Sequence, residues 1–154
     1  AHSMGNRVML SAFADNVEKF RNSQPRIGQI IFSAADVYVD IFQQKFPKMS
    51  DIGLTKTSYV HQNDLALLAS RLFNQTSRIG RFPEDSAEFH QHGLETIDVT
   101  PVSEDSRRLS LNHGYPYGNA RVLTDLEYLL KDRKKAEDRG GLKMAPNNKY
   151  WVFK

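Results

Sequence analysis

Apolar residues recur at helical spacing along the first half of the chain. One such stripe predicts an amphipathic helix over residues 6–22, and its members are Leu10, Phe13, Val17 and Phe20. A second helix is predicted from Pro25 to Phe46, with Pro25 at its first turn and Pro47 as its stop. Neither stripe carries a chemical signature, so both are interpreted as core-facing.

The helical spacing of apolar residues is lost after this second helix and returns at residue 65. Residues 48–61 are expected to form a loop, and a third amphipathic helix is predicted over residues 65–73. Asn63 or Asp64 would cap that helix, because a short polar side chain before the first turn can accept from its unpaired amide groups. The first half of the chain is therefore predicted to be helical.

Glycine and proline divide the second half into shorter pieces. Residues 95–102 and 120–123 are predicted as short strands, and a final strand is predicted over 150–153. Thr124 and Glu127 form a capping-box pattern, which predicts that a helix begins there. The predicted fold class is α+β, with a helical N-terminal half, a C-terminal part with the layout of a ββα finger, and a short terminal strand.

The composition is that of an ordinary globular protein. The 154 residues are 40% apolar and 25% charged, and they include no cysteine, which excludes disulfides and thiolate metal sites. No long apolar run and no leader pattern is visible, so we expect no membrane partner and a cytoplasmic, intracellular location. Ala1-His2-Ser3 before Met4 is interpreted as a tag remnant, and His2 is therefore excluded from any site.

The predicted domain organisation follows from these elements. Residues 4–154 are expected to form a single domain after the tag remnant at 1–3. Within it, residues 4–74 would be a helical support, 75–139 would carry the finger-like region, and 140–154 would be a terminal strand and tail. Through their apolar faces the N-terminal helices could also bind a protein partner or a second copy of the chain.

Charge is distributed unevenly along the chain. The formal net charge is +3, with an isoelectric point near 9.2. Residues 84–105 are acidic, whereas the chain from Arg121 onward is basic. Such runs are consistent with solvated helix faces, and they are equally consistent with a metal pocket beside a phosphate-binding surface.

The segment from Gly114 to Thr124, GYPYGNARVLT, resembles the GYxxGNxRxxs stretch of phage-type HNH endonucleases. Residues 76–83 are similar to the turn that precedes the first finger strand in that family, and the resemblance covers about residues 73–135. It implies a ββα finger that binds Mg²⁺ or Mn²⁺ and acts on nucleic acid, with DNA favoured over RNA. A phage origin, with action in the host cytoplasm, is also implied.

The resemblance assigns roles to particular residues. Gly114, Gly118 and Asn119 would shape the finger, and Asp98 would be the carboxylate of its first strand, acting in catalysis and as a metal ligand. The usual positions of the base and the helix ligand hold Val99 and Tyr128, so His113 is the candidate for a displaced base. The further candidate metal ligands are His90, His92 and Asp132, and the candidate phosphate contacts are Arg121, Lys131, Arg133, Lys134 and Lys135.

Three functions remain open at this point. The chain could be a catalytically degenerate finger that binds nucleic acid without cleaving it. It could instead be an active metal-dependent endonuclease whose catalytic residues are displaced. The third alternative is a non-enzymatic protein-interaction domain in which the Gly-Asn match is coincidental.

Overall fold

The structure, a computed structural model, describes residues 1–74, 76–102 and 112–154, without the side chains of 71–74. Its helices are α1 (Gly5–Asp15), α2 (Val17–Arg21), α3 (Val39–Lys45), α4 (Leu65–Asn74), α5 (Pro83–Ala87), α6 (Tyr115–Gly118) and α7 (Ala120–Lys131). Its strands are β1 (Gln29–Ser33), β2 (Thr55–Val60), β3 (Leu94–Asp98), β4 (Leu142–Met144) and β5 (Trp151–Phe153). Short 3₁₀ helices occupy Phe46–Met49, Glu88–His92, Thr100–Val102 and Ala136–Asp138.

Within the described residues the five strands form one sheet in the order β1-β2-β3-β5-β4. The pairs β1–β2, β2–β3 and β3–β5 are parallel, and β4 is antiparallel to β5. Parallel neighbours need a crossover connection, and α3 supplies it between β1 and β2 while α4 and α5 supply it between β2 and β3. The architecture is therefore mixed α/β, which agrees with the predicted class only at this coarse level.

Hydrophobic clusters cover both sides of the sheet. Ile30 and Phe32 enter one cluster, whereas Ile31 packs against the other, as expected when successive side chains of a strand alternate. The first cluster also contains Leu10 of α1 and the stacked rings of Phe42 and Phe46. The second is built around Tyr59, Ile97, Val99, Tyr115, Val122, Leu129 and Phe153.

The helices are short. α1 has 11 residues and α7 has 12, whereas about 20 apolar residues are needed to cross the hydrocarbon core of a bilayer. In the ranges that the structure describes, no helix is long and apolar enough to span a membrane.

The predicted helix from Pro25 to Phe46 is wrong. β1 occupies Gln29–Ser33, and only Val39–Lys45 is helical. A strand with cover on both faces has a continuous apolar run, which periodicity alone does not distinguish from a buried helix. The loop predicted over residues 48–61 is also wrong at its end, since β2 occupies Thr55–Val60.

The predicted finger layout is not formed. Residues 120–123 are the first turn of α7 and not a strand, because the Asn119 side chain caps that helix by accepting from the amides of Arg121 and Val122. Thr124 lies inside α7, where its hydroxyl donates to the Ala120 carbonyl, so the predicted capping box is wrong. The strand predicted over 95–102 ends at Asp98, and the predicted terminal strand is confirmed as β5.

A buried polar network joins α7 to the sheet. Arg139 is fully buried and donates to Asp125 of α7 at 2.8 Å and to Glu95 of β3 at 3.0 Å. Tyr59 of β2 donates to the same Asp125 carboxylate at 2.6 Å, and burial raises the pKa of the Tyr59 phenol well above its ordinary value. The segment after α7 is thereby tied to the centre of the fold.

Candidate active site

Residues 1–3 run alongside β1 at its carboxyl end. The Ser33 amide donates to the Ala1 carbonyl at 3.1 Å, and the Ser3 amide donates to the Ser33 carbonyl at 3.0 Å. His2 and Ser33 thus form a parallel bridge. The three residues that were interpreted as a tag remnant are therefore packed into the fold at the carboxyl edge of the sheet, where open α/β sheets place their ligand sites.

Ser3 stands at a sharp turn between this extended segment and α1. Its φ is +50°, in the left-handed region that a side chain bearing Cβ adopts at a cost of about 1–2 kcal/mol. The residues two positions before and two positions after Ser3 are small, Ala1 and Gly5. They lie close together, because a Cβ added to Gly5 would be 3.9 Å from the Ala1 Cβ. Strain of this kind persists where surrounding contacts impose it, and it concentrates at functional sites.

The side chain of Asn6 helps to hold the backbone of Ser3 in this conformation. Its side-chain amide donates to the Ser3 carbonyl at 2.9 Å and to the Ser33 carbonyl at 3.0 Å, and the side chain is fully buried. Both acceptors are carbonyl oxygens, so the nitrogen and not the oxygen of the amide must face them. The Ser3 carbonyl also accepts from the backbone amides of Asn6 and Asp36.

Replacing Asn6 with alanine is expected to lower the free energy of unfolding by about 2 kcal/mol, because the Ser3 carbonyl and the buried Ser33 carbonyl would each lose a donor. Urea denaturation measures this loss. Asn16→Ala is the matched control, since Asn16 is exposed and its side chain donates to the Ala12 carbonyl of α1, the helix that ends just before it. Equal losses for the two variants would contradict the role given to Asn6.

Asp64 follows β2 at the same edge of the sheet. Its Oδ1 accepts from the Leu67 amide at 3.0 Å and so caps α4, which confirms one of the two predicted caps. Its Oδ2 lies 2.7 Å from Nδ1 of His113, and the Asp64 side chain is fully buried whereas that of His113 is 17% exposed. One carboxylate thus holds a helix start and a histidine ring at once.

The loop that carries His113 is fastened on both sides of the histidine. Asn112 donates from its side chain to the Asn63 carbonyl at 3.1 Å, beside Asp64. The buried Tyr115 hydroxyl accepts from the Ala34 amide at 3.0 Å and donates to the Tyr59 carbonyl at 2.7 Å. The position of His113 is therefore set by the ends of β1 and β2.

These contacts place an oriented candidate base at the sheet edge where Ser3 turns into α1. A carboxylate on Nδ1 favours the histidine tautomer with the proton on that nitrogen, which leaves the basic lone pair on Nε2. Ser3 directly follows His2, whose ring centroid is 4.7 Å from that of His113. Serine, aspartate and histidine follow one another along the chain as Ser3, Asp64 and His113.

The structure does not gather the predicted metal ligands. Asp98 ends β3, where its carboxylate accepts from Thr100 and from the Gln62 side chain at 3.1 Å. His90 and His92 lie on the 3₁₀ helix Glu88–His92, and Asp132 ends α7. Among the side chains of the described residues, no three histidine or acidic groups meet in a way that could hold a metal ion.

The residues assigned to the finger and to phosphate binding have other surroundings. Gly114 and Gly118 bound α6, and Asn119 caps α7 and donates to the Val102 carbonyl. Arg121 donates to the Lys154 carbonyl, and its guanidinium lies 5.5 Å from the centre of the Phe153 ring. The other four predicted phosphate contacts lie at or after the end of α7. Lys131 is near Glu127, and Lys134 is near Asp132 and lies over the ring of Tyr128. Arg133 and Lys135 are exposed.

Sequence reasoning missed Ser3 and Asp64 as site residues. The signal for Ser3 was the segment Ala1-His2-Ser3-Met4-Gly5, a serine between two small residues immediately before a helical pattern. Asp64 was noticed only as a helix cap. Its second partner, His113, lies 49 residues away along the chain, so their contact requires the fold.

Comparison with known proteins identifies a hydrolase family and contradicts the predicted finger. Residues 1–133 match the model of a family described as alpha/beta hydrolase of unknown function (DUF900). The match includes Ser3, Asp64 and His113, and it overturns the resemblance to HNH endonucleases together with the nucleic-acid binding predicted from it. No curated protein and no solved structure matches the chain significantly.

Proposed function

Because the chain belongs to this family of alpha/beta hydrolases, we propose that it is a serine hydrolase whose catalytic triad is Ser3, His113 and Asp64. The substrate class is a carboxylic ester or a related acyl compound, and the reaction is acyl transfer to water. No metal ion takes part in the proposed chemistry.

One observation carries the proposal. Ser3 adopts a left-handed conformation at the turn from an extended segment into α1, at the same sheet edge as the hydrogen bond between His113 and the buried Asp64. Alpha/beta hydrolases use such a turn, the nucleophile elbow, to expose the serine hydroxyl above the sheet, and their triad follows the chain order serine, acid, histidine. The flanking Ala1 and Gly5 are small enough for the turn.

In the first half of the reaction, Nε2 of His113 takes the proton of the Ser3 hydroxyl while the oxygen attacks the acyl carbon. Asp64 keeps the ring in the required tautomer and stabilises the imidazolium that forms. The protonated His113 then gives its proton to the leaving alcohol as the bond to that alcohol breaks. An acyl-Ser3 ester remains.

The negative charge of the tetrahedral intermediate needs hydrogen-bond donors. The Met4 amide directly follows the nucleophile, and in nucleophile elbows this amide is one of the oxyanion donors. It stands before the first turn of α1, where the helix dipole favours an anion. Removing such a donor in other serine hydrolases costs about 10²–10³ in kcat, which indicates the size of this contribution.

In the second half, His113 takes a proton from water, and the water oxygen attacks the acyl-Ser3 ester. The second tetrahedral intermediate collapses, the Ser3 oxygen recovers its proton from His113, and the acid product leaves. The atoms and protons therefore balance with water as the only co-reactant.

A fluorophosphonate probe tests the proposal directly, because it forms a covalent bond with an activated serine. We expect one adduct per chain, mapped by mass spectrometry of the digested protein to the peptide that contains Ser3, and pretreatment should abolish hydrolysis of p-nitrophenyl esters. Heat-unfolded protein is the control and should not react. An adduct on any other serine, or no adduct on folded protein, would refute the assignment.

A further inference from the structure

His2 lies between the proposed nucleophile and the loop of the proposed base. It directly precedes Ser3, and its Nε2 is 3.0 Å from the backbone carbonyl oxygen of His113. Its ring centroid is 4.7 Å from that of His113 and 5.2 Å from that of Tyr117. His2 is thus a side-chain contact between the elbow and the His113 loop.

The chemistry of this contact determines the tautomer of His2. A carbonyl oxygen only accepts hydrogen bonds, so Nε2 of His2 must carry a proton and donate it. Burial lowers the pKa of His2 from its ordinary value of 6.5, so the ring is neutral at neutral pH and has its one N–H at Nε2. The contact is therefore a neutral hydrogen bond with a fixed direction.

The other contacts of the His113 loop do not replace the hydrogen bond from His2 to the His113 carbonyl. Asn112 and Tyr115 fasten the residues on either side to the ends of β1 and β2. Asp64 holds the ring of His113 by Nδ1. The hydrogen bond from His2 is the contact among these that links the His113 backbone to the elbow itself.

We propose that His2 is a positioning residue, which holds His113 in register with Ser3 through the His113 carbonyl. The inference rests on the proposed function, since it concerns the same triad. His2 takes no proton in the reaction and acts only through the geometry of the base. A displacement of about 1 Å in such a pair can cost about 10²-fold in rate.

Two substitutions separate the hydrogen bond from the shape of the ring. His2→Phe keeps an aromatic ring against His113 and Tyr117 but has no donor. His2→Gln places an amide nitrogen close to the position of Nε2 and keeps the donor. His92→Phe is the matched control, because it makes the same chemical change on the 3₁₀ helix Glu88–His92, away from the elbow.

The experiment measures the rate constant and the amplitude of fluorophosphonate labelling at Ser3, with the kcat and KM of ester hydrolysis. We expect His2→Phe to lower the labelling rate constant and kcat by about tenfold or more, with full amplitude and unchanged KM. His2→Gln should stay within about threefold of the wild type, and His92→Phe should match it. Urea denaturation of each variant gives the folded fraction.

Each outcome decides between explanations. A purely structural role for His2 would lower the amplitude and leave the rate constant of the folded fraction unchanged, which would overturn the inference. His2→Phe with wild-type kinetics, or His2→Gln as slow as His2→Phe, would also overturn it. Failure of the proposed function is distinguishable, since the wild-type protein would then show no labelling of Ser3.

Discussion

Replacing Ser3 with alanine is expected to lower kcat for ester hydrolysis by about 10⁶-fold, to the level of residual catalysis from binding and oxyanion contacts. The reason is that the hydroxyl supplies the atom that forms the acyl-enzyme, and no other group can replace it in the step. Stopped assays with a p-nitrophenyl ester measure the loss, and fluorophosphonate labelling should disappear with it.

A second substitution at the same position separates chemistry from folding. Ser3→Gly should be equally inactive but about 1 kcal/mol more stable than Ser3→Ala, because glycine adopts a φ of +50° without a clash of its Cβ. Ser11→Ala, within the helix α1 that follows Ser3, is the matched control and should keep full activity. Ser3→Ala with more than about 1% of wild-type kcat would contradict the assignment of the nucleophile.

Replacing Asp64 with asparagine is expected to lower kcat by about 10⁴-fold with little loss of stability. The asparagine oxygen can still cap α4 by accepting from the Leu67 amide. Its amide nitrogen would then face Nδ1 of His113 as a donor, which favours the tautomer with the proton on Nε2. That tautomer cannot accept the proton of Ser3. Kinetics and urea denaturation of the same samples measure the two effects.

Asp98→Asn is the matched control for this variant. Asp98 is also buried at the end of a strand and also accepts from side chains, and the Gln62 amide can rotate to accept from the new nitrogen. We expect Asp98→Asn to stay within about tenfold of wild-type kcat. A loss of kcat in Asp98→Asn as large as the loss in Asp64→Asn would contradict the proposed triad.

The elements that the sequence predicted correctly are those whose signal is local. The stripe from Leu10 to Phe20 predicted α1 and α2, although the structure divides the two at Asn16. Asp64 precedes α4 as a cap, and a cap depends only on the next three residues. The terminal strand is bounded by its own aromatic and β-branched residues, so it too was found.

β2 shows why other elements were missed. Its sequence, TKTSYV, has few apolar residues, yet all but its first residue are buried. Lys56 can be buried there because its ammonium donates a hydrogen bond to the Ser50 carbonyl at 2.6 Å. Thr57 and Ser58 are buried as well, although their side chains are polar. A strand that buries polar side chains has no hydrophobic period to detect, so this strand could not be predicted from its own residues.

Of the three residues of the proposed triad, the sequence pointed to one. His113 was chosen as a candidate base, but for a role in a nuclease that the family match overturns. Ser3 had a readable signal, and it was set aside because Met4 resembled a natural start. The pairing of His113 with Asp64 depends on two loops that meet only when β2 and β3 lie side by side.

The position of β5 between β3 and β4 extends the sheet beyond the residues of the family match. The family match stops at residue 133, but the backbone of β3 is paired at Ile97 and Asp98 with β5 beyond it. A protein trimmed to the match would leave that side of β3 as an open edge, which is a template for pairing between molecules and for aggregation. It would also lack Arg139 and leave the buried Asp125 without its counter-charge. We therefore expect a protein trimmed at residue 133 to aggregate more than the 154-residue chain, because only the longer chain keeps β5 paired with β3.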